Sequence, residues 1–392
     1  MRNKYILLTA YCLLSLISLR MNAQDASIEK PHAFEFHGFL QPSWQWTKSE
    51  GQKAANSLRS KRTYLWFSGS LMQEKITFLV RTDFSASTPL LDAWAAWNSQ
   101  HLSVSTGQRR TFTNNREMTF EEDKLAFPER SLLSTAFCGN GREFGLFAEG
   151  RFGNKTLLVP MLALTSGDGP NSFGINSTDV DLGGIKLGGR LDFYPLGDFS
   201  EGNTGLSVDA KRESKPKILI GIAGSWNKGA SQEKGEGHGY FSLFDSSKTA
   251  RYPQYRKISA DLIVKYRGFS LLAEFANASA AGLSGLRTDS IGGIASLLQP
   301  TQIATYLVLG NALNLQAGYF FRNGISVDFR YQKLNPEFTR RDSRLNETED
   351  FALHLGKYFD FNRMKIQATA SSRKIAGLPS KMYSEVMFQV GF

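Results

Sequence analysis

Hydrophobic and polar residues alternate with a period of two along most of the chain. Between residues 33 and 47, apolar side chains such as Phe36 and Trp44 stand at even positions, whereas polar ones such as Gln41 stand at odd positions. The same alternation separates Val327 from Asp328 near the other end of the chain. Successive side chains of a β-strand point to opposite faces, so the pattern predicts strands with one apolar and one polar face.

Sixteen segments carry this pattern. They lie near 33–47, 60–71, 74–84, 90–98, 101–109, 142–150, 155–165, 183–194, 217–226, 256–267, 269–277, 311–321, 324–333, 350–359, 363–373 and 382–392. Short and long connections alternate between them, and Asn323-Gly324 is a tight-turn dipeptide in one of the short ones. The connection 195–216 breaks the alternation, because it should be short and is not.

These features predict an all-β protein, a transmembrane antiparallel β-barrel of 16 strands occupying residues 25–392. The apolar face would meet lipid and the polar face would line water. Closure is expected because each unpaired backbone group in hydrocarbon costs several kcal/mol. The connection 110–141, between strands 5 and 6, is expected to fold inward as a constriction loop. A secreted soluble sandwich or propeller would also alternate, but strands of about 9–11 residues with aromatic ends favour a membrane crossing.

The N-terminus has the order of residues found in secretory signal peptides. Arg2 and Lys4 precede an apolar core that ends near Leu19, and small or polar residues follow up to Gln24. We predict that residues 1–24 are cleaved after export, which places the protein in the outer membrane of a Gram-negative bacterium. The alternative is an uncleaved membrane anchor, for which an apolar core of about 14 residues is short.

Net charge favours small anions over nucleic acid as partners. The formal charge is +10, and loss of residues 1–24 with their three basic side chains would leave +7. The Lys and Arg residues of the chain are scattered along it rather than clustered, so nucleic-acid binding is not expected. The chain lacks HExxH, GxSxG and Walker-type motifs, and the spacing of its five histidines suggests no zinc site. We therefore predict no enzyme, cofactor or metal, and we interpret the Gly- and Ser-rich stretch 227–240 as an exposed loop.

Several motifs, in this order and spacing, resemble the phosphate-selective porin O and P family of Gram-negative outer membranes. They are Lys61-Arg62-Thr63-Tyr64-Leu65, Leu91-Asp92-Ala93-Trp94, Phe127-Pro128-Glu129-Arg130-Ser131, Gly141-Arg142-Glu143-Phe144-Gly145 and Ser166-Gly167-Asp168-Gly169. The resemblance extends over roughly residues 34–392 and implies a sixteen-stranded barrel, usually a homotrimer, that passes anions such as phosphate down a basic channel. The chain departs from the family in having Lys61, a point charge, where an arginine fork is usual.

The resemblance implies that Lys61, Arg62, Tyr64 and Asp92 are pore-lining anion contacts. Lys61 and Arg62 are neighbours, so in a regular strand they would point to opposite faces. One of them must therefore face lipid, lie outside the hydrocarbon or sit on a bulge. Arg62 is favoured as the pore-facing residue, because it lies two positions from Tyr64 and so on the same face of a regular strand. Further candidates are Arg81, Arg109 and Arg330 on polar strand faces, with Arg110, Arg116, Lys124 and Arg130 in the 110–141 connection. Each could instead be a wall or loop charge paired with a nearby acid.

Together these observations predict an outer-membrane porin, a water-filled channel for passive diffusion with a preference for anions. Two alternatives stay open. One is a non-channel barrel that acts in surface adhesion or assembly through its long loops. The other is a secreted soluble β-protein that binds glycans.

Overall fold

The computed structural model describes residues 34–139, 141–172, 185–237, 239–291 and 296–392. The sixteen strands are β1 (Phe34–Ser49), β2 (Ala55–Leu71), β3 (Ile76–Asp83), β4 (Leu90–Asn98), β5 (Leu102–Arg110), β6 (Arg142–Gly150), β7 (Leu157–Thr165), β8 (Lys186–Tyr194), β9 (Lys217–Lys228), β10 (Gln254–Tyr266), β11 (Phe269–Ala281), β12 (Gly310–Phe320), β13 (Ile325–Pro336), β14 (Thr348–Asp360), β15 (Met364–Ile375) and β16 (Lys381–Gly391). Each pairs antiparallel with its chain neighbours, and β1 closes the barrel against β16. No helix in these ranges is long and apolar enough to cross a bilayer.

The predicted sixteen-stranded barrel is therefore confirmed, with differences at the strand ends. The largest is in β2, which begins at Ala55 rather than near residue 60, because its backbone continues to pair with β1 as far as Thr47. The residues of this extension do not alternate in hydrophobicity, so the pattern could not predict it. The predicted signal peptide at 1–24 lies outside the described residues, as do residue 33 of the first predicted strand and residues 183–184 of the eighth.

The exterior of the barrel is apolar and the interior is polar. Val80, Val327 and Leu353 are 44%, 46% and 61% exposed on the outer face. On the inner face of β13, Ser326 and Asp328 are almost fully buried. A soluble sandwich or propeller would hide the apolar face in its own core, so that alternative fold is wrong. An apolar exterior with all strand edges paired suits a barrel that crosses lipid.

The segment 111–141 leaves β5 and enters the bore before returning to β6, as predicted. Two single-turn 3₁₀ helices (Glu117–Thr119 and Glu122–Lys124) and the helix α1 (Leu132–Cys138) lie along it, and the Ser131 side chain caps α1 by accepting a hydrogen bond from the Ser134 amide. Its apolar side chains drive the entry, because a loop in water would expose them. Those that are almost fully buried are Met118, Phe120, Leu125, Phe127, Leu133 and Phe137.

The long connection 195–216 enters the barrel from the opposite end, the end at which β1 starts and β16 finishes. Phe199 packs in a cluster with Phe120 and Leu125 of the inward segment 111–141. Ser207 donates its backbone N–H to the carbonyl of Lys124, and its hydroxyl accepts the amide of Ala126 at 2.6 Å. The two inward segments therefore meet inside the bore.

Three long connections at the other end form a shared hydrophobic cluster above α1. Leu243, Leu286, Leu307 and Leu345 from the connections after β9, β11 and β13 are nearly inaccessible there. Ala230 also joins this cluster at 0% exposure, so the prediction of an exposed loop over 227–240 is wrong for that part of the stretch. Ala230 is buried by apolar residues of other loops, which the Gly and Ser content of 227–240 could not indicate.

Candidate functional site

A β-bulge places both Lys61 and Arg62 on the inner face of the barrel. Leu40 pairs with Thr63 and Pro42 pairs with Ser60, so one residue of β1 opposes two residues of β2. The extra residue breaks the alternation locally, as β-bulges do. Of the three possibilities left open by the sequence, the structure has the bulge, and neither side chain has to face lipid.

The two neighbours bind different parts of the interior. The ammonium of Lys61 lies 2.8 Å from Glu385 on β16 and 2.5 Å from Glu129 on the inward segment. Arg62 donates to the Gln41 side chain at 2.9 Å and to the Pro128 carbonyl at 3.1 Å. Both side chains therefore connect the barrel wall to the inward segment.

Tyr64 and Asp92 also face the interior. Tyr64 is 5% exposed and packs against Phe39, with ring centroids 4.6 Å apart. Asp92 lies 3.5 Å from Arg81 and 3.0 Å from Arg142. Its carboxylate is thus already shared between two arginines.

A continuous series of ion pairs connects β3 and β5 to the inward segment. Glu121 binds Arg81 and also lies 3.3 Å from Arg110. Glu122 accepts hydrogen bonds from Arg110 at 2.5 Å and from Arg130 at 2.7 Å. Opposite charges at such short distances hold Glu121 and Glu122 of the segment against the wall of the barrel.

These arginines set the charge state of the two glutamates. Burial alone would raise the pKa of Glu121, but Arg110 and Arg81 outweigh it and lower the pKa to about 2. Burial would likewise raise the pKa of Glu122, and Arg110 and Arg130 lower it well below its usual range. Both carboxylates are therefore ionised at neutral pH.

Arg116 anchors the start of the inward segment to the opposite wall. Its guanidinium lies 2.5 Å from Asp192 on β8 and 2.9 Å from Asp261 on β10. Arg190 on β8 binds the same two carboxylates. A Cβ at Gly221 on β9 would overlap Arg190, Asp261 and Arg116, so glycine makes the space that this cluster occupies.

Three further predicted residues have other surroundings. Arg330 donates to the Glu129 carbonyl at 2.9 Å, and its guanidinium lies 4.2 Å from the centroid of the Phe127 ring. Lys124 contacts 195–216 through its backbone carbonyl, which accepts the Ser207 amide. Arg109 donates to the Ser105 hydroxyl at 2.7 Å and has no carboxylate within 4.0 Å among the described residues.

Two cavities lie on opposite sides of the inward segment. The first cavity, of about 320 Å³, is bounded by residues 127–135 and by β1 and β13–β16. The second cavity, of about 300 Å³, is bounded by residues 111–121 and by β3–β8. The charged residues of the first cavity are Glu129, Arg130, Arg330, Asp350, Arg373, Lys381 and Glu385. Those of the second are Arg81, Asp92, Arg109, Arg110, Arg116, Glu121, Glu149, Arg151, Arg190 and Asp192. Basic residues outnumber acidic ones in both cavities, by one and by two respectively.

Sequence reasoning missed several partners of the predicted residues. Arg142, Arg190, Asp192, Asp261 and Glu385 are all buried in ion pairs inside the bore. Arg190 and Asp192 are two positions apart in β8 and so lie on the same face of the strand. The alternation of the sequence could therefore have indicated that both point into the bore. The described residues bring no three His, Cys, Asp or Glu side chains together in a way that could hold a metal ion.

The sequence matches no protein-family model and no curated protein, whereas the fold matches solved structures. An anion-selective porin from Comamonas acidovorans superposes with a TM-score of 0.56 at 10% identity, over 92% of this chain and 100% of that chain. OmpT of Vibrio cholerae, an outer membrane protein solved in a trimer form, gives a TM-score of 0.55 at 7% identity over 93% of this chain and 100% of that chain. This chain therefore has the fold of these outer-membrane barrels.

Proposed function

We propose that this protein is an outer-membrane porin through which small solutes, anions in preference, diffuse passively. The observation that carries the proposal is the inward segment 111–141, which divides a closed barrel with an apolar exterior into two cavities that each have an excess of basic side chains. Positive charges at a constriction favour the passage of anions. The lipid of the outer membrane would be the partner of the exterior face.

Phosphate is the specific anion that the sequence motifs suggest, and it is part of this proposal. Lys61 and Arg62 lie on the inner face, as a motif that contacts anions requires, and the solved Comamonas barrel is named as anion-selective. The arginines of the bore are mostly paired with carboxylates, so phosphate would have to compete with these acids. We propose an anion preference first and phosphate selectivity second, with no enzymatic activity.

A homotrimer is also part of the proposal. The motif resemblance implies it, and the similar Vibrio barrel is described in a trimer form. Chemical cross-linking and light scattering of the detergent-solubilised protein would test it, and a mass of one chain per particle would contradict it.

Planar-bilayer recording under a salt gradient tests the channel directly. We expect discrete conductance steps and a reversal potential of the sign given by anion permeation. A reversal potential of cation sign would overturn the anion preference. Chloride should then be replaced by phosphate in the same experiment. If the channel selects phosphate, the reversal potential in phosphate should lie further toward the anion value than the one in chloride.

A second candidate function is a barrel that does not conduct and acts through its outer loops. The observation in its favour is that two segments, 111–141 and 195–216, meet inside the bore. Folded protein that gives no conductance in bilayers would support adhesion or assembly instead. Heat-modifiable mobility in gels would show that such a sample is folded.

A further inference from the structure

Arg109 differs from the other basic residues of the second cavity because no carboxylate of the described residues lies within 4.0 Å of it, and Glu149 and Asp92 act on its charge only from further away. The other five are Arg81, Arg110, Arg116, Arg151 and Arg190, and each lies within 4.0 Å of at least one carboxylate among the described residues. Arg109 instead contacts the Ser105 hydroxyl and three aromatic rings. A cation in such surroundings is available to an anion that enters the cavity.

Aromatic rings hold the guanidinium of Arg109 in position. Its central carbon lies 5.0 Å from the ring centroids of Trp94 and Phe112 and 5.4 Å from that of Phe147. Rings at this distance attract a cation through their faces. Ser105 accepts one N–H, and a guanidinium carries five N–H donors in a planar fork that suits a carboxylate.

Apolar side chains line the second cavity beside Arg109, together with its charged residues. Leu79, Trp94, Phe112 and Met161 line the same cavity, whose volume of about 300 Å³ lies at the small end of the range of small-molecule sites. A multiply charged, strongly hydrated anion would lose water wherever it touches these apolar side chains. An anion with one charge and an apolar group would gain from burying that group.

We propose that the second cavity is a binding site for small monocarboxylates that carry an aromatic or aliphatic group, with Arg109 as the carboxylate contact. The carboxylate accepts hydrogen bonds from the guanidinium edge, and the apolar group packs against Trp94, Phe112 and Met161. This inference deepens the proposed function, because it names a solute class for one cavity of the channel.

Equilibrium binding tests the site without requiring conductance. Isothermal titration calorimetry of the detergent-solubilised protein should detect benzoate, and acetate should bind at least tenfold more weakly because it lacks the ring. Inorganic phosphate should also bind more weakly than benzoate. Phosphate binding as tight as that of benzoate, or acetate binding as tight as that of benzoate, would overturn the proposed solute class.

A matched pair of variants identifies the residue. Arg109→Gln should weaken benzoate binding about tenfold, which corresponds to about 1.4 kcal/mol. Arg151→Gln removes the same charge from the same cavity, but Arg151 is already paired with Asp198 at 2.7 Å, so benzoate binding should be kept. Equal effects of the two variants would show a general charge effect and contradict the site.

Two measurements keep the outcomes separate. Heat-modifiable gel mobility shows whether Arg109→Gln folds, and Arg109→Lys, which keeps the charge but loses the planar fork, serves if it does not. Arg109→Lys should then bind benzoate more weakly than the wild type does, and unchanged binding would overturn the role of Arg109. Binding of benzoate by a protein that does not conduct would support the site and contradict the channel, whereas conductance without binding would do the reverse.

Discussion

Arg110 and Arg130 donate to opposite oxygens of one carboxylate, that of Glu122. Arg110 lines the second cavity, Arg130 lines the first, and Glu122 lines neither. The carboxylate therefore pairs with one arginine on each side of the inward segment. It also fixes the segment in the bore, because both arginines would repel each other without it.

Removal of this carboxylate should increase anion selectivity. We expect Glu122→Gln to shift the reversal potential under a salt gradient further toward the anion value, because two arginines lose their shared partner. It should also destabilise the protein by about 3–5 kcal/mol, the usual cost of an uncompensated buried charge. Glu50→Gln is the control, because Glu50 is exposed in the connection between β1 and β2. An equal shift in both variants would contradict the role of Glu122.

Stability should decrease in acid as Glu121 is protonated. The pKa of Glu121 is about 2 in the folded protein, against an ordinary value of 4.5. A carboxylate with a lowered pKa contributes stability that is complete above about pH 4.5 and is lost as the pH falls through its folded value. Denaturation midpoints measured from pH 7 down to pH 2 should therefore stay constant at first and fall below about pH 4.5. Glu121→Gln should show a smaller fall, and an identical profile would contradict this assignment.

The pair of Lys61 and Glu385 should be strongly coupled. Glu385 is 1% exposed, so Lys61→Met would leave a buried carboxylate with Gln45 and Tyr383 as its remaining donors. We expect a loss of about 3–5 kcal/mol in the free energy of unfolding. Lys61→Met combined with Glu385→Gln should recover part of it, and additive effects would show that the pair is uncoupled. Lys48→Met, at an exposed position of β1, is the control for loss of charge.

The sequence was sufficient to predict the strands because lipid outside and water inside impose one rule on every strand. That rule holds wherever the wall is regular, as in β13, where Val327 faces outward and Asp328 faces inward. It fails at Lys61 and Arg62, because a bulge depends on the partner strand as well as on the strand itself. The inner-face placement of both residues therefore needed the structure.

Ion-pair partners inside the bore could not be predicted for a related reason. Arg116 meets Asp192 and Asp261 because the inward segment crosses the barrel, and they stand 76 and 145 positions further along the chain. No periodicity connects such residues. The entry of 195–216 into the barrel was likewise visible only as a connection of unexpected length, although its apolar residues Phe199, Leu206 and Val208 are all buried.

Lys265 should hold the segment 195–216 inside the barrel. Its side chain is completely buried and donates to the carbonyls of Asn203 at 2.6 Å and Leu206 at 2.7 Å. Lys265→Met would leave the Leu206 carbonyl without this donor and the Asn203 carbonyl with only the Leu206 amide at 3.3 Å. A buried acceptor left without a donor costs about 1–3 kcal/mol. The segment should then detach more often, so we expect faster protease cleavage between residues 195 and 216 and a larger single-channel conductance.

Lys217→Met is the matched control for this prediction. Lys217 donates to the carbonyl of Leu196, at the edge of the same segment, but this contact is exposed to solvent. Water can replace the lost donor there, so cleavage and conductance should change little. If protease cleaves Lys265→Met no faster than the wild type, the apolar contacts of Phe199 and Val208 hold the segment without the buried ammonium. Increased cleavage with unchanged conductance would instead show that solutes do not pass where the segment lies.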